Sequence, residues 1–279
     1  VGEKIGVKEI VFTFIKIVVL VAVTGSLLLY FFQERLIFFT QKVWLPERSR
    51  FAKYEITIDH RGTCLRGWFI KKSVSKSSPL IIYYGGNAEE VSVNLTALHR
   101  FKAGAFLYMN YRGYGESEGS PSEKALFEDA LYILDHMIRK ENIDPHQVIL
   151  MGRSLGSGVA VHVASCRKVS RVILITPFDS LLNVAKYHYP FFPVDLMLKH
   201  RFDSISLAPG IKIPALFIMG KKDQIIPNRY SLNLMEKWGG PVESVTIAGA
   251  SHNDIDFFRE YDQAINRFIL TSNDAQAKE

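Results

Sequence analysis

A mostly parallel β-sheet with helices on both faces, preceded by an N-terminal helix that anchors it in a membrane, is the architecture this sequence predicts. Three observations carry it. Short, wholly apolar runs such as Leu80-Ile81-Ile82-Tyr83-Tyr84 alternate with stretches of helical periodicity, the pattern of strands buried on both faces. One such run, Val148-Ile149-Leu150-Met151, leads directly into Gly152-Arg153-Ser154-Leu155-Gly156 and then into a small-residue helix pattern. Residues 10–32 are apolar or small apart from Lys16 and a few hydroxyls.

The N-terminal run is about 23 residues, or roughly 34 Å as a helix, against a hydrocarbon core of about 30 Å. Lys16 is near enough to one end to extend its ammonium to the interface, and Tyr30 and Trp44 suit the opposite interface. A cleaved signal peptide and a buried core helix are the alternatives. Against cleavage, the apolar run continues past Thr24-Gly25-Ser26 into Leu27-Leu28-Leu29. The expected organisation is an anchor over residues 1–34, a catalytic domain over 35–270 and a frayed polar tail over 271–279. Lys4, Lys8 and Lys16 precede the apolar run, whereas Arg35, Lys42, Arg48 and Arg50 follow it, which slightly favours a cytoplasmic catalytic domain. Long domains translocate despite such a bias, so the side is left open.

Past the anchor, residues 54–58 and 63–70 alternate like paired antiparallel strands, with His60-Arg61-Gly62 as the turn. A polar loop (71–78) leads to the strand 80–84. Residues 88–101 read as a helix, with Glu89 and Glu90 at its positive end. The next strand is 105–109. A helix is expected over 122–139, with Phe127, Ala130, Leu131, Leu134, Met137 and Ile138 on one face. The strand ending at the Gly-x-Ser-x-Gly motif follows, then its helix and a strand over 171–176. Residues 177–210 break the rhythm with Phe178, Tyr187, Tyr189, Phe191, Phe192, Leu196, Met197 and Phe202, punctuated by prolines. They read either as a cap lining an apolar acyl pocket or as a linker helix whose aromatics are ordinary core.

Strand, Gly-x-Ser-x-Gly and helix in that order define a nucleophile elbow, a turn so tight that side chains at Gly152 and Gly156 would collide. It lifts the Ser154 hydroxyl out of the sheet toward a helix N-terminus, which favours negative charge. Two later strands end in candidate partners: Leu216-Phe217-Ile218-Met219-Gly220 delivers Asp223, and Val245-Thr246-Ile247 precedes His252. In a parallel sheet, sites form at the carboxyl ends of strands. Asp195 and Asp203, within the insertion, are the rival acids. His99, His136, His146, His162, His188 and His200 read as surface or core residues.

The order Ser, Asp, His resembles that of the α/β-hydrolase superfamily, in particular its membrane-anchored serine hydrolases of the bud-emergence and abhydrolase-domain type. The resemblance covers roughly residues 35–270. It rests also on Tyr84-Gly85-Gly86-Asn87-Ala88, on Asn110-Tyr111-Arg112-Gly113-Tyr114-Gly115-Glu116-Ser117-Glu118-Gly119 and on Pro121-Ser122-Glu123. It implies an α/β-hydrolase fold with Ser154, His252 and Asp223 as a catalytic triad. The oxyanion donors are expected to be the backbone N–H groups of Leu155 and Asn87, and Tyr111 and Arg112 read as structural supports of the next loop. Where the family usually carries His-Gly-Asn-Ala, this chain has Gly85 in the histidine's place.

A net charge of +6 spread along 279 residues, without a basic cluster bearing interleaved aromatics, argues against nucleic-acid binding and fits a mild attraction to anionic lipid. Cys64 and Cys166 fit no metal spacing or disulfide framework and read as buried small hydrophobes. The expected chemistry needs no metal or organic cofactor. Its partners would be an acyl-ester or thioester substrate and the lipid bilayer. An aminopeptidase-like hydrolase and a non-enzymatic hydrolase-fold binding protein are the alternatives.

Overall fold

Arg61 (φ 54°) and Gly62 (φ 76°) both adopt left-handed backbone, the requirement of a two-residue turn whose twist matches its strands. That turn joins β1 (Glu55–His60) to β2 (Thr63–Lys71) with His60 opposite Thr63, so His60 belongs to the strand and not to the turn. The computed structural model describes residues 6–43, 48–72 and 78–276. Trp44, the centre of the polar loop (73–77) and residues 277–279 lie outside the described residues.

Six further strands follow: β3 (Leu80–Tyr84), β4 (Ala105–Met109), β5 (Val148–Arg153), β6 (Arg171–Ile175), β7 (Ala215–Gly220) and β8 (Val242–Ile247). The sheet order is β1-β2-β4-β3-β5-β6-β7-β8; β1 and β2 pair antiparallel, β2 meets β4 antiparallel, and every other neighbour is parallel. This is the α/β-hydrolase fold. The continuous apolar runs have the expected cause: alternate residues feed cores on opposite faces. Leu80, Ile82 and Tyr84 of β3 join one layer with Val148 and Leu150, while Ile81 and Tyr83 join the other with Ile149 and Met151.

Three local expectations are corrected. The segment expected as a helix over 88–101 is a 3₁₀ helix, Val91–Arg100, with Glu90 as its N-cap. Glu90 accepts from the Ser92 N–H, and Glu89 accepts from the Gly86 N–H. The helix Glu123–Glu141, capped by Ser122, turns Leu126, Asp129, Ala130, Ile133, Leu134 and Met137 inward; Phe127, Leu131 and Ile138 sit only half-buried at its flank. Asp129, on the inward face, is buried with a bidentate bond from Arg112 and one from His60. Cys64 is half-buried and Cys166 exposed, so neither is a core residue.

The N-terminal helix α1 runs from Val7 to Ile37. An 18-residue window of it is wholly unburied and apolar enough to cross a membrane. Its later turns dock on the insertion after β6, whose short helices include Leu181–His188 and Val194–Met197. The last helix, Arg259–Gln276, continues into the polar stretch that begins at residue 271.

Candidate active site

The nucleophile elbow has its physical signature in the backbone. Ser154 sits at φ 52° and ψ −117°, a sparsely populated region for a residue with a side chain. Neighbouring glycines make the turn possible. A Cβ on Gly152 would lie 2.8 Å from Ser157 Cα, and one on Gly156 would lie 2.6 Å from the Gly85 carbonyl oxygen. The strained residue is held from both sides: its N–H donates to Ile175 O (2.9 Å), and its carbonyl accepts from Ser157 Oγ (2.6 Å) and Ser157 N (2.9 Å). The helix Leu155–Cys166 begins at the next residue, with its N-terminus beneath the hydroxyl.

β7 and β8 bring the other two residues to the same rim. Gly220 allows their loops to approach, since a Cβ there would meet Ala250 O at 2.7 Å, and Lys222 N bonds Ala250 O at 2.9 Å. Asp223 Oδ1 accepts from the Ile225 and Ile226 N–H groups (2.9 and 2.8 Å), which fixes the carboxylate. Its Oδ2 lies 2.7 Å from His252 Nδ1, and His252 Nε2 lies 3.0 Å from Ser154 Oγ. The carboxylate side chain is 1% exposed and the imidazole 8%. Ser154, His252 and Asp223 are therefore in hydrogen-bond sequence across loops 98 and 29 residues apart. The rival acids are elsewhere: Asp195 pairs with Lys186 (2.6 Å) and Asp203 is exposed.

The loop after β3 is braced carbonyl by carbonyl. Tyr111 Oη donates to Gly85 O (3.0 Å) and Tyr114 Oη to Asn87 O (2.6 Å). The Gly86 N–H is taken by Glu89 Oε2 (2.9 Å). Asn87 and Leu155 both line the cavity beside Ser154. Tyr111 thus supports the loop before its own, and Arg112 ties its loop to Asp129 and Thr63. At the position of the missing histidine, space is filled: a Cβ on Gly85 would press on Val91 Cγ1 at 3.1 Å. Burial pushes the Tyr111 and Tyr114 phenols well above their ordinary pKa, keeping both hydroxyls as donors.

Two positioning groups were not legible from the motifs. Arg153, inside the elbow, directs Nη2 at the carbonyls of His252 (3.3 Å) and Asn253 (3.4 Å), and Nη1 lies 4.0 Å from Glu89. Burial opposes its charge, but Tyr83, Glu89 and Asp256 outweigh that and raise its pKa. Glu89 also accepts from Tyr83 Oη (2.7 Å) and Asn94. One half-buried pair therefore links the loop after β3 to the loop carrying His252. The second is Asp254, whose Oδ1 takes the Ser251 N–H (2.6 Å) and whose carboxyl that bond holds below the usual range.

A cavity of about 240 Å³ opens beside Ser154. Phe178, Val184, Tyr189 and Met197 of the insertion line it, as does His188, whose Nε2 meets Ile225 O at 2.8 Å. Leu29, Gln33, Leu36 and Ile37 of α1 close the other side. Neither Asp nor Glu is among the described residues that line it. Phe202 packs away from the cavity against Phe38 and Phe127, and Phe191 and Leu196 point to solvent at 92% and 87% exposure.

Sheet order, elbow and the two strand-end loops define a protein of the α/β-hydrolase class. The chain belongs to the alpha/beta hydrolase domain family, whose pattern matches residues 86–259. It is 32% identical over 263 residues to the uncharacterized protein Rv2307c of Mycobacterium tuberculosis (strain ATCC 25618 / H37Rv), covering 91% of this chain and 93% of that one. It is likewise 32% identical to alpha/beta hydrolase domain-containing protein 17C of Xenopus tropicalis, over 75% of this chain and 67% of that one. Among solved structures, the esterase Pf2001 of Pyrococcus furiosus superposes with a TM-score of 0.66 at 17% identity, over 83% of this chain and 96% of that one.

Proposed function

We propose that this protein is a membrane-anchored serine hydrolase that cleaves acyl esters or thioesters through an acyl-enzyme on Ser154. The observation that carries the reading is the unbroken line Ser154 Oγ, His252 Nε2, His252 Nδ1, Asp223 Oδ2, with steps of 3.0 and 2.7 Å around the imidazole. A serine hydroxyl is a poor nucleophile at neutral pH. His252 takes its proton as Oγ attacks the acyl carbon, then returns that proton to the leaving oxygen or sulfur. Asp223, locked by two backbone N–H groups, holds the imidazole in the tautomer that presents a bare Nε2 and stabilises the imidazolium. Water then attacks the acyl carbon, with His252 again as base, and releases the acid.

The tetrahedral oxyanion is met by the N–H groups of Leu155 and Asn87. With Gly86 N–H engaged by Glu89 and the Asn87 carbonyl held by Tyr114, the Asn87 N–H, on a residue that lines the cavity with Ser154, suits this role. One such donor is worth about 3 kcal/mol of transition-state stabilisation. The apolar cavity beside Ser154 suits an acyl chain, and the absence of a carboxylate among the described residues that line it disfavours a site for a free amino terminus. An esterase among the structural neighbours is in keeping with ester substrates. α1, with its wholly unburied apolar window, serves as the membrane anchor. The test is turnover of medium-chain acyl esters by purified protein: Ser154→Ala should abolish it, and undiminished turnover would exclude the mechanism.

A further inference from the structure

The anchor helix is two helices in one by its surroundings. Residues 7–24 are exposed on every side. From Gly25 onward one face is occupied, at the spacing of successive helical turns: Gly25, Leu29, Gln33 and Ile37. The Phe192 ring of the insertion lies against Gly25, where a Cβ would come within 2.8 Å of it. Gln33 is 6% exposed, and two of the three bonds its amide makes join the two parts. Its Nε2 donates to Tyr30 O (2.9 Å) and Met197 O (3.1 Å), and its Oε1 accepts from Lys199 N (2.8 Å). Lys199 Nζ lies 4.7 Å over the Tyr30 ring, and Phe38 meets His200 edge-on at 5.0 Å. Leu29, Gln33, Leu36 and Ile37 are at the same time one wall of the cavity beside Ser154.

The lengths place this junction. Counted from Ile10, past Lys8 and Glu9, about 20 residues of helix at 1.5 Å each cross the roughly 30 Å of a bilayer's hydrocarbon core, which puts its far edge near Leu29. The docked part, from Gly25 onward, therefore overlaps the helix's exit from the lipid. Phe191, the neighbour of the residue seated on Gly25, and Leu196, the neighbour of Met197, are among the most exposed large apolar side chains of the molecule. Both stand next in sequence to residues that touch α1, which sets these exposed apolar side chains at the junction with the bare apolar helix, as a surface that meets a membrane interface requires.

We propose that the insertion dips Phe191 and Leu196 into the leaflet beside α1, and that an acyl chain passes from that leaflet into a cavity whose wall is α1 itself. The occupant of the exposed patch is thus the bilayer, and the substrate class narrows to acyl groups carried by membrane lipid. α1 anchors the enzyme and also sets the chain length it accepts, through Leu29 and Ile37. This inference rests on the hydrolase reading above for its substrate, and on the anchor reading for its geometry.

The full chain in phosphatidylcholine vesicles tests it in two independent ways. A bimane label at F191C, in a C64S/C166S background, should be quenched by lipids carrying a nitroxide near the headgroup. An unquenched label, including one shielded instead by a second copy of the chain, overturns the proposal whether or not the protein is a hydrolase. For the pocket wall, Leu29→Trp should lower the ratio of dodecanoyl-ester to butanoyl-ester turnover about tenfold, the scale on which a hydrophobic pocket discriminates by a few methylenes. Leu29→Ala should move that ratio the other way. A ratio unmoved by both variants overturns the proposal. Ser154→Ala run beside them separates the cases: if it retains turnover the hydrolase reading fails, whereas if it is inactive and the ratios stay fixed only the α1 wall fails.

Discussion

The rim that carries Ser154 and the insertion that faces it are built on opposite rules. At the rim almost every polar atom has an assigned partner: Asp223 Oδ1 takes two backbone N–H groups, Ser154 is bonded through its N–H and carbonyl, and Gly85, Gly86 and Asn87 are each held by a side chain. The insertion facing the cavity is apolar, and it leaves Phe191 and Leu196 in the open. Dense bonding fixes a geometry to a few tenths of an ångström, as proton transfer requires. An apolar wall discriminates only by size and contact. On the proposed function, the two regions would divide the work accordingly, with reaction type set at the rim and acyl preference set by the insertion and α1.

Substitutions at the rim should therefore act on rate far more than on chain-length preference. The largest effect is expected from Ser154→Ala, a loss of about 10⁴-fold or more in kcat. Asp223→Asn should lose about 10³- to 10⁴-fold, because an amide in place of Oδ2 favours the wrong imidazole tautomer. Tyr114→Phe removes the hydroxyl that holds the Asn87 carbonyl. It should cost about tenfold in kcat, equivalent to one hydrogen bond of about 1.4 kcal/mol, with little change in KM. A KM effect with kcat intact would show that the Asn87 loop binds substrate and does not stabilise the oxyanion. Arg153→Met should cut kcat comparably through the His252 loop, and it should raise the pH-sensitivity of kcat; an unchanged profile would make the arginine merely structural.

The smallest expected effect concerns stability away from the site. His162 stacks on Phe127 with centroids 3.9 Å apart, and burial holds its pKa below the usual histidine value. A lowered folded-state pKa means the unfolded chain binds the proton more readily. Stability contributed by neutral His162 is therefore present above the ordinary pKa of about 6.5 and declines as pH falls through the folded value. Thermal unfolding of His162→Leu across that range should show a shallower acid loss than the parent.

What could be read from the chain follows from the range of the interactions. The strands were legible because burial on both faces demands uninterrupted apolar runs, and the elbow because two glycines are needed where backbones nearly touch. Ser154, Asp223 and His252 each announce themselves locally, as residues just past such runs. Glu89 and Arg153 did not, because their work is done on loops far away in sequence, and a glutamate near a helix start reads as a dipole partner. The inward place of Asp129 on the helix Glu123–Glu141 was illegible for the same reason: its partners Arg112 and His60 come from other elements. The part of α1 that walls the cavity was the least legible. Gln33 and Lys199 are 166 residues apart, and nothing local distinguishes an apolar turn facing lipid from one facing a pocket.

The most direct test is covalent. Folded wild-type protein treated with a fluorophosphonate should gain one adduct by intact mass, mapped to the peptide containing Ser154, and His252→Ala should gain almost none in the same time. A label absent from the folded wild type, or carried by a different serine, would contradict the assignment of Ser154 as the activated nucleophile.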